Sequence, residues 1–187
     1  DDNLSNLDTG KGYGKATSIS ISYNVKDSSG RCGKGSNDYC AAIATVKYPK
    51  KTVKFYMGYQ NNSGLLDGSC RSHAFMAVAN AVNGTKYSTL DLQKYLYSIN
   101  KNGVLKASGI PKALKKYDLE ATVYHEETNI SKAAELMEAA LNNGQPVMIF
   151  VANSKCSDIA GSHHALLLLG YDKNGNVIFI DSVPYAR

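Results

Sequence analysis

The apolar residues change their spacing twice along this chain, and that double change limits the folds open to it. Residues 18–25, SISISYNV, alternate strictly, with Ile19, Ile21, Tyr23 and Val25 on one side and Ser and Asn on the other. That is the period of a half-buried strand. AAIATVKY (41–48) and TVKFYM (52–57) read as two more strands joined around Pro49, so the first 57 residues are β-rich after a loose lead-in at 1–15. The period then lengthens. Ala74, Phe75, Val78 and Val82 stand at helical spacing within 70–83, and Gly84 follows as a C-cap. Ser88 opens a second helix with Asp91 three residues on, and Leu92, Tyr95, Leu96 and Ile99 form its inner face. A short helix follows Pro111, and a strand is expected near 120–125. Ser131 is expected to cap a helix with Ala133, Leu136, Met137, Ala140 and Leu141 on one face, ending before Gly144. Strand character returns in VMIFVA (147–152), HALLLLGY (164–171) and NVIFID (176–181), with KNG at 173–175 as the hairpin turn. Helices followed by a closing antiparallel set predict an α+β fold with a helical half and a sheet half.

Composition agrees with one globular body. The chain has 187 residues, of which 43% are apolar or aromatic and 20% charged. This excludes collagen, a coiled coil and a wholly disordered chain. The net charge of +5 comes from 18 Lys and only 3 Arg, with no run of five or six like charges. Arg supplies the bidentate contacts to bases and phosphates, so no nucleic-acid partner is expected. No stretch approaches the ~20 apolar residues of a membrane helix, so membrane insertion is not expected. The polar, acidic start DDNLSNLDTGKGYGK is not a signal peptide; it suits the start of a mature exported chain or an arbitrary boundary. Its 13 Tyr and its Asn, Ser and Gly content suit a protein secreted by a bacterium or held at its surface.

Four residues stand where nucleophilic catalysis needs them. Cys70 lies in LLDGSCRSHAFMAV, where a Gly-Ser turn runs into what reads as an amphipathic helix. The positive end of a helix dipole favours a thiolate, and the free N–H groups of a first turn can hold an oxyanion. A buried helical Cys is the plainer alternative. GSHHALLLLGYD places an imidazole on a rigid strand, as a general base requires. His163 and His164 are adjacent and face opposite ways on that strand, so only one can face a cleft. Asp181 closes the next strand, where its carboxylate can accept a ring N–H and hold the imidazole in one tautomer; equally, a strand-end Asp can simply begin a turn. Gln60, ten residues before Cys70, can supply a second oxyanion donor, with Asn61 and Asn62 as competitors.

The order Gln, Cys at a helix start, His on a strand and Asp on the next strand resembles the papain-like cysteine peptidases. The stretches GQPVMIFV and HHALLLLGYDKNGNVIFIDS are similar to the closing half of the double-glycine leader-peptidase-like branch, and the layout resembles the staphopains. The resemblance covers roughly residues 55–183. It implies Cys70 as nucleophile, His164 as base, Asp181 as the orienting residue and Gln60 as oxyanion donor, acting on a peptide or protein substrate with no metal or organic cofactor. His164 is preferred to His163 because the family's base directly precedes a small residue, here Ala165. It implies a papain-like catalytic domain over 55–187. The β-rich N-terminal extension, residues 1–54, which it does not explain, either completes the sheet half of the same domain, covers the cleft like a propeptide or belongs to a neighbouring module. The chain departs from the branch at Arg71, where Gly usually follows the Cys, and in the ten-residue gap from Gln60 to Cys70.

Other residues are secondary. Cys32 and Cys40 flank a Gly/Ser/Asn loop and are either a disulfide of an exported protein or two free thiols. Cys156 reads as a bystander, His73 as a secondary cleft residue, and His125 as an exposed strand end. Two competing functions share the same residues. A transglutaminase-like acyl transferase uses the same Cys, His, Asp order, and GSCRSHA resembles its Cys motif, but 94 residues separate Cys70 from His164. A non-catalytic binding module would keep the fold with a Cys70 of ordinary reactivity.

Overall fold

The computed structural model describes residues 6–9, 12–27, 29, 31–32, 39–59, 70–101, 103, 105–124, 129–151 and 164–183. The early strands are β2 (Ser18–Lys26), β3 (Tyr39–Lys47) and β4 (Thr52–Gly58), and they pair antiparallel in that order as one three-stranded sheet. The late strands are β6 (Val147–Val151), β7 (His164–Tyr171) and β8 (Val177–Ile180). They join β5 (Ala121–Tyr124) and β1 (Asn6–Thr9) in a second antiparallel sheet of order β5-β1-β6-β7-β8. Mixed helices and antiparallel sheets make the chain α+β, as its changing period predicts and as a papain-like peptidase fold requires.

Part of the lead-in is a strand. β1 lies between β5 and β6, with Leu7 opposite both Val123 and Met148. Four residues, NLDT, are too few and too polar to show a period of two, and pairing on both sides supplies what the local pattern lacks. The following segment is strapped to the end of α4 (Ile130–Asn142): the Gly14 N–H donates to the Asn143 carbonyl at 3.0 Å. Gly144 ends that helix in the left-handed region (φ 74°), and a Cβ there would lie 2.1 Å from the Gly14 carbonyl oxygen. Helix α4 itself begins earlier than its expected Ser131 cap. Asn129 is the N-cap, its side chain accepting from the Lys132 N–H at 3.1 Å. Both residues are good caps, and the helix takes the one two residues earlier.

Helix α1 (Cys70–Asn83) is not amphipathic. All ten residues from Cys70 to Ala79 are buried, including Arg71, Ser72 and His73. The helix runs between the two sheets, packed on β4 to one side and on β7 to the other. Most of the covered surface is apolar or small, and Ala74, Ala77 and Ala79 let both sheets come close. Helix α2 (Thr89–Ile99) flanks it, capped by Ser88 accepting from the Asp91 N–H at 3.1 Å. A 3₁₀ turn (Ala107–Gly109) leads into α3 (Ile110–Lys116).

The five-stranded sheet is covered on both faces. Ala165, Leu167 and Leu169 of β7 join the main core with α1, β3 and β4. Leu168, with Val147 of β6, joins a smaller core under Ala140 and Leu141 of α4. Burial on both faces explains why β7 is an unbroken apolar run rather than an alternating one. Ala44 and Val46 of β3 share the main core with Phe55 of β4 and Phe75 of α1, so residues before and after position 54 pack around one interior.

Candidate active site

Cys70 is the first residue of α1 and is 5% exposed. It is the free cysteine among the described residues. His164 opens β7, and Asp181 follows the last residue of β8. The Leu167–Ile180 register, continued one step, sets Asp181 opposite Leu166, a diagonal neighbour of His164 on the adjacent strand. Two strands joined by a tight hairpin thus carry the imidazole and the carboxylate to one end of the sheet, where α1 begins.

The ring of His164 joins the other two groups. Its Nε2 lies 2.5 Å from Asp181 Oδ1. The other ring nitrogen, Nδ1, is free of Asp181, and the Cys70 thiol is near enough to the ring for the two groups to shift each other's pKa. Asp181 Oδ1 also accepts the Val183 N–H at 3.0 Å, which holds the carboxylate in place. All three side chains are buried, so their mutual attraction is weakly screened.

Burial pushes the Cys70 thiol up, yet its pKa is lowered overall. The His164 hydrogen bond and charge, the Ala165 backbone N–H and the neighbouring Arg71 guanidinium outweigh desolvation. Burial likewise pulls His164 down, but hydrogen bonds to Asp181 and Cys70, and their charges, raise it to about 9. Both shifts favour a thiolate–imidazolium pair.

Two contributors carried little or no sequence signal. The Ala165 N–H acts on the thiol only because β7 begins beside the start of α1. Arg71 stands out in sequence only as a departure from the Gly usual after the Cys. It is 6% exposed, its Nη1 donates to the Leu105 carbonyl at 3.2 Å, and its guanidinium lies 4.4 Å from the centre of the Phe150 ring. His73 turns away from the cluster. Its Nδ1 lies 3.1 Å from Thr89 Oγ1 on α2, and a Cβ on Gly58 would come within 2.7 Å of the same nitrogen. Burial holds it neutral, with a pKa lowered to about 3, and it is not among the groups that shift the thiol.

Gln60, Asn61, Asn62, His125, Cys156 and His163 lie outside the described residues. Cys32 and Cys40 form a disulfide with Cα atoms 5.3 Å apart, both residues buried beside Asp27. That bond occupies both sulfurs of the one cluster of possible metal ligands among the described residues.

Residues 52–187 match the Peptidase_C39 like family. The chain belongs to that family. No curated protein and no solved structure is significantly similar to it. Membership makes it a relative of papain-like cysteine peptidases and points to hydrolysis of peptide or protein substrates. No helix among the described residues is long and apolar enough to cross a membrane.

Proposed function

We propose that this member of the family cleaves peptide bonds with Cys70 as nucleophile, His164 as acid and base, and Asp181 as its orienting partner. The observation that supports this most is the imidazole of His164 set between the Cys70 thiol and the Asp181 carboxylate. His164 takes the thiol proton, and the thiolate attacks the substrate carbonyl carbon. The C–S bond forms as the carbonyl π pair moves to oxygen, and the oxyanion rests on the Cys70 N–H at the start of α1. Gln60 is the proposed second donor. The imidazolium then gives its proton to the departing amine as the C–N bond breaks, leaving a thioester. Water, deprotonated by His164, adds to the thioester, and the C–S bond breaks to return the thiolate. Asp181 steadies the imidazolium through Nε2 in both halves.

Within the family we place the chain nearest the double-glycine leader-peptidase-like members, on GQPVMIFV and HHALLLLGYDKNGNVIFIDS. Export by a bacterium fits the Cys32–Cys40 disulfide, because reducing cytosols rarely keep such bonds.

The decisive experiment is iodoacetamide labelling of Cys70 across pH 4–9, read by peptide mass spectrometry, beside a casein or peptide-library cleavage assay. Cys70 is expected to alkylate well below the ~8.5 of a free thiol, and His164→Ala to abolish both that early reactivity and cleavage. An ordinary thiol in both proteins would overturn the reading. Amine incorporation without hydrolysis would turn it into acyl transfer.

A further inference from the structure

A second concave site lies on the helical half, away from Cys70. It is a cavity of about 510 Å³ between the start and outer face of α2 and the end of α3. Three tyrosines build it. Tyr117 is 6% exposed, and Tyr87 packs edge-on against it with ring centres 5.3 Å apart. Tyr95 closes the wall from α2. Behind Tyr117 stands Phe75, 6.0 Å away, five residues or roughly 7 Å along α1 from Cys70. The site therefore shares no lining residue with the Cys70, His164, Asp181 cluster.

The rings hold a cation. Lys116 places its ammonium 4.8 Å from the centre of Tyr95 and 5.9 Å from that of Tyr117. Lys94 lines the same cavity, and among the described residues no carboxylate lies within ion-pair distance of either lysine. Burial, with Asp91 and the two neighbouring tyrosines, raises Tyr117 to about 12, so its hydroxyl keeps its proton. Ser98 donates to the Tyr95 carbonyl at 2.6 Å, which leaves its oxygen free to accept.

Charge distribution points the same way. Residues 85–118 hold seven Lys against two Asp, leaving fourteen basic and fourteen acidic residues in the rest of the chain. The whole excess charge of +5 thus resides in the segment that forms this cavity. We propose that the Tyr87–Tyr95–Tyr117 cavity binds an acidic polypeptide segment, with Lys94 and Lys116 taking a side-chain carboxylate and Asp91 accepting a backbone N–H. A polyphosphate fits less well. All seven cations are Lys rather than the Arg suited to phosphate forks, and the Asp91 carboxylate would face a phosphodiester chain. Two cations beside an acceptor and apolar ring walls match a peptide, which brings carboxylates, amide N–H groups and apolar carbon together.

The test is fluorescence anisotropy with a labelled (Glu-Ala)₅ peptide and the full-length Cys70→Ala protein, so that binding is read without cleavage. The peptide is expected to bind, and more weakly as salt rises. A (Lys-Ala)₅ peptide is expected not to bind. Lys94→Gln with Lys116→Gln should weaken binding at least tenfold, and Tyr87→Ala severalfold. Lys112→Gln with Lys115→Gln removes the same charge from residues that do not line the cavity and should change binding less than threefold. Equal losses in both lysine pairs would show a diffuse field and overturn the site. Tighter binding of a dT₁₀ oligonucleotide or of polyphosphate would reassign it. Loss of the catalytic reading leaves this result untouched, because no turnover is measured.

Discussion

Asp181 and His164 make the sharpest demand on solution behaviour. His164 is raised from its ordinary value near 6.5 to about 9, and Cys70 is lowered. The ion pair therefore exists above the lowered thiol pKa and is lost as pH climbs through about 9, where the imidazolium gives up its proton. A bell-shaped profile of kcat/KM is expected, with its basic limb near that value. In Asp181→Asn the carboxylate that raises His164 is gone, so the basic limb should move toward lower pH and kcat should fall by roughly 10²–10⁴-fold, in line with other orienting carboxylates. An unmoved basic limb in the variant would detach Asp181 from the imidazole. The same linkage acts on stability. The His164 contribution is whole below about 6.5 and fades as pH rises through about 9. The lowered Cys70 contributes stability that grows over the same range, because the folded imidazolium–thiolate and the unfolded imidazole–thiol each hold one proton. Melting temperature should therefore stay nearly level over that window, and a steady decline would mean that Cys70 keeps its proton. The proposed triad was suggested in sequence by local settings (a helix start, a rigid strand and a strand end) that each allowed a plainer reading, and by the resemblance that joined them. Arg71 was not legible as a packed group, because nothing local to GSCRSHA tells a solvated guanidinium from one stacked on Phe150, which lies 79 residues away in the chain.

At the scale of elements, caps decide where helices stop and which segments lie over their ends. Gly144 takes a positive φ and lets the Gly14 backbone pass directly above it. Gly144→Ala brings a left-handed cost of about 1–2 kcal/mol, and its Cβ would meet the Gly14 carbonyl head-on, so the segment before β2 must shift. Denaturant titration should show an unfolding free energy lowered by at least that amount, whereas Gly175→Ala, also at positive φ but with open space around it, should show the backbone cost alone. Equal losses at the two glycines would mean that the 12–14 segment contributes nothing. Element types and order were readable from period alone, and so was the C-cap at Gly84. Strand β1 and the all-round burial of α1 were not. Four polar-rich residues carry no period, and a small-residue helix reads as amphipathic until a second sheet covers its other face.

For the molecule as a whole, the question is whether the small sheet stands apart or belongs to the interior of the rest. Phe55 is fully buried in the core cluster that also holds Phe75 of α1 and Leu167 of β7. Phe55→Ala should cost about 3–5 kcal/mol and shift far-ultraviolet circular dichroism and tyrosine fluorescence transitions together. Two separated transitions would mean two units. Opening the Cys32–Cys40 disulfide with a phosphine should lower stability by about 2–3 kcal/mol, as expected for closure of a short loop; an unchanged midpoint would place that loop outside the cooperative structure. What the amino-acid sequence determined alone was the alternation of periods, the α+β class and the hairpin around 173–175, because these follow from spacing and turn chemistry within a few neighbours; Cys70, His164 and Asp181 it offered only as candidates, joined by resemblance. Tertiary structure alone decided that β1 enters a sheet, that the first ten residues of α1 are buried, that the Arg71 charge and the Ala165 N–H act on the thiol, and that three tyrosines and two lysines from around α2 and the end of α3 line one cavity. Each of those depends on which distant segments meet, and no local pattern records a partner that lies dozens of residues away.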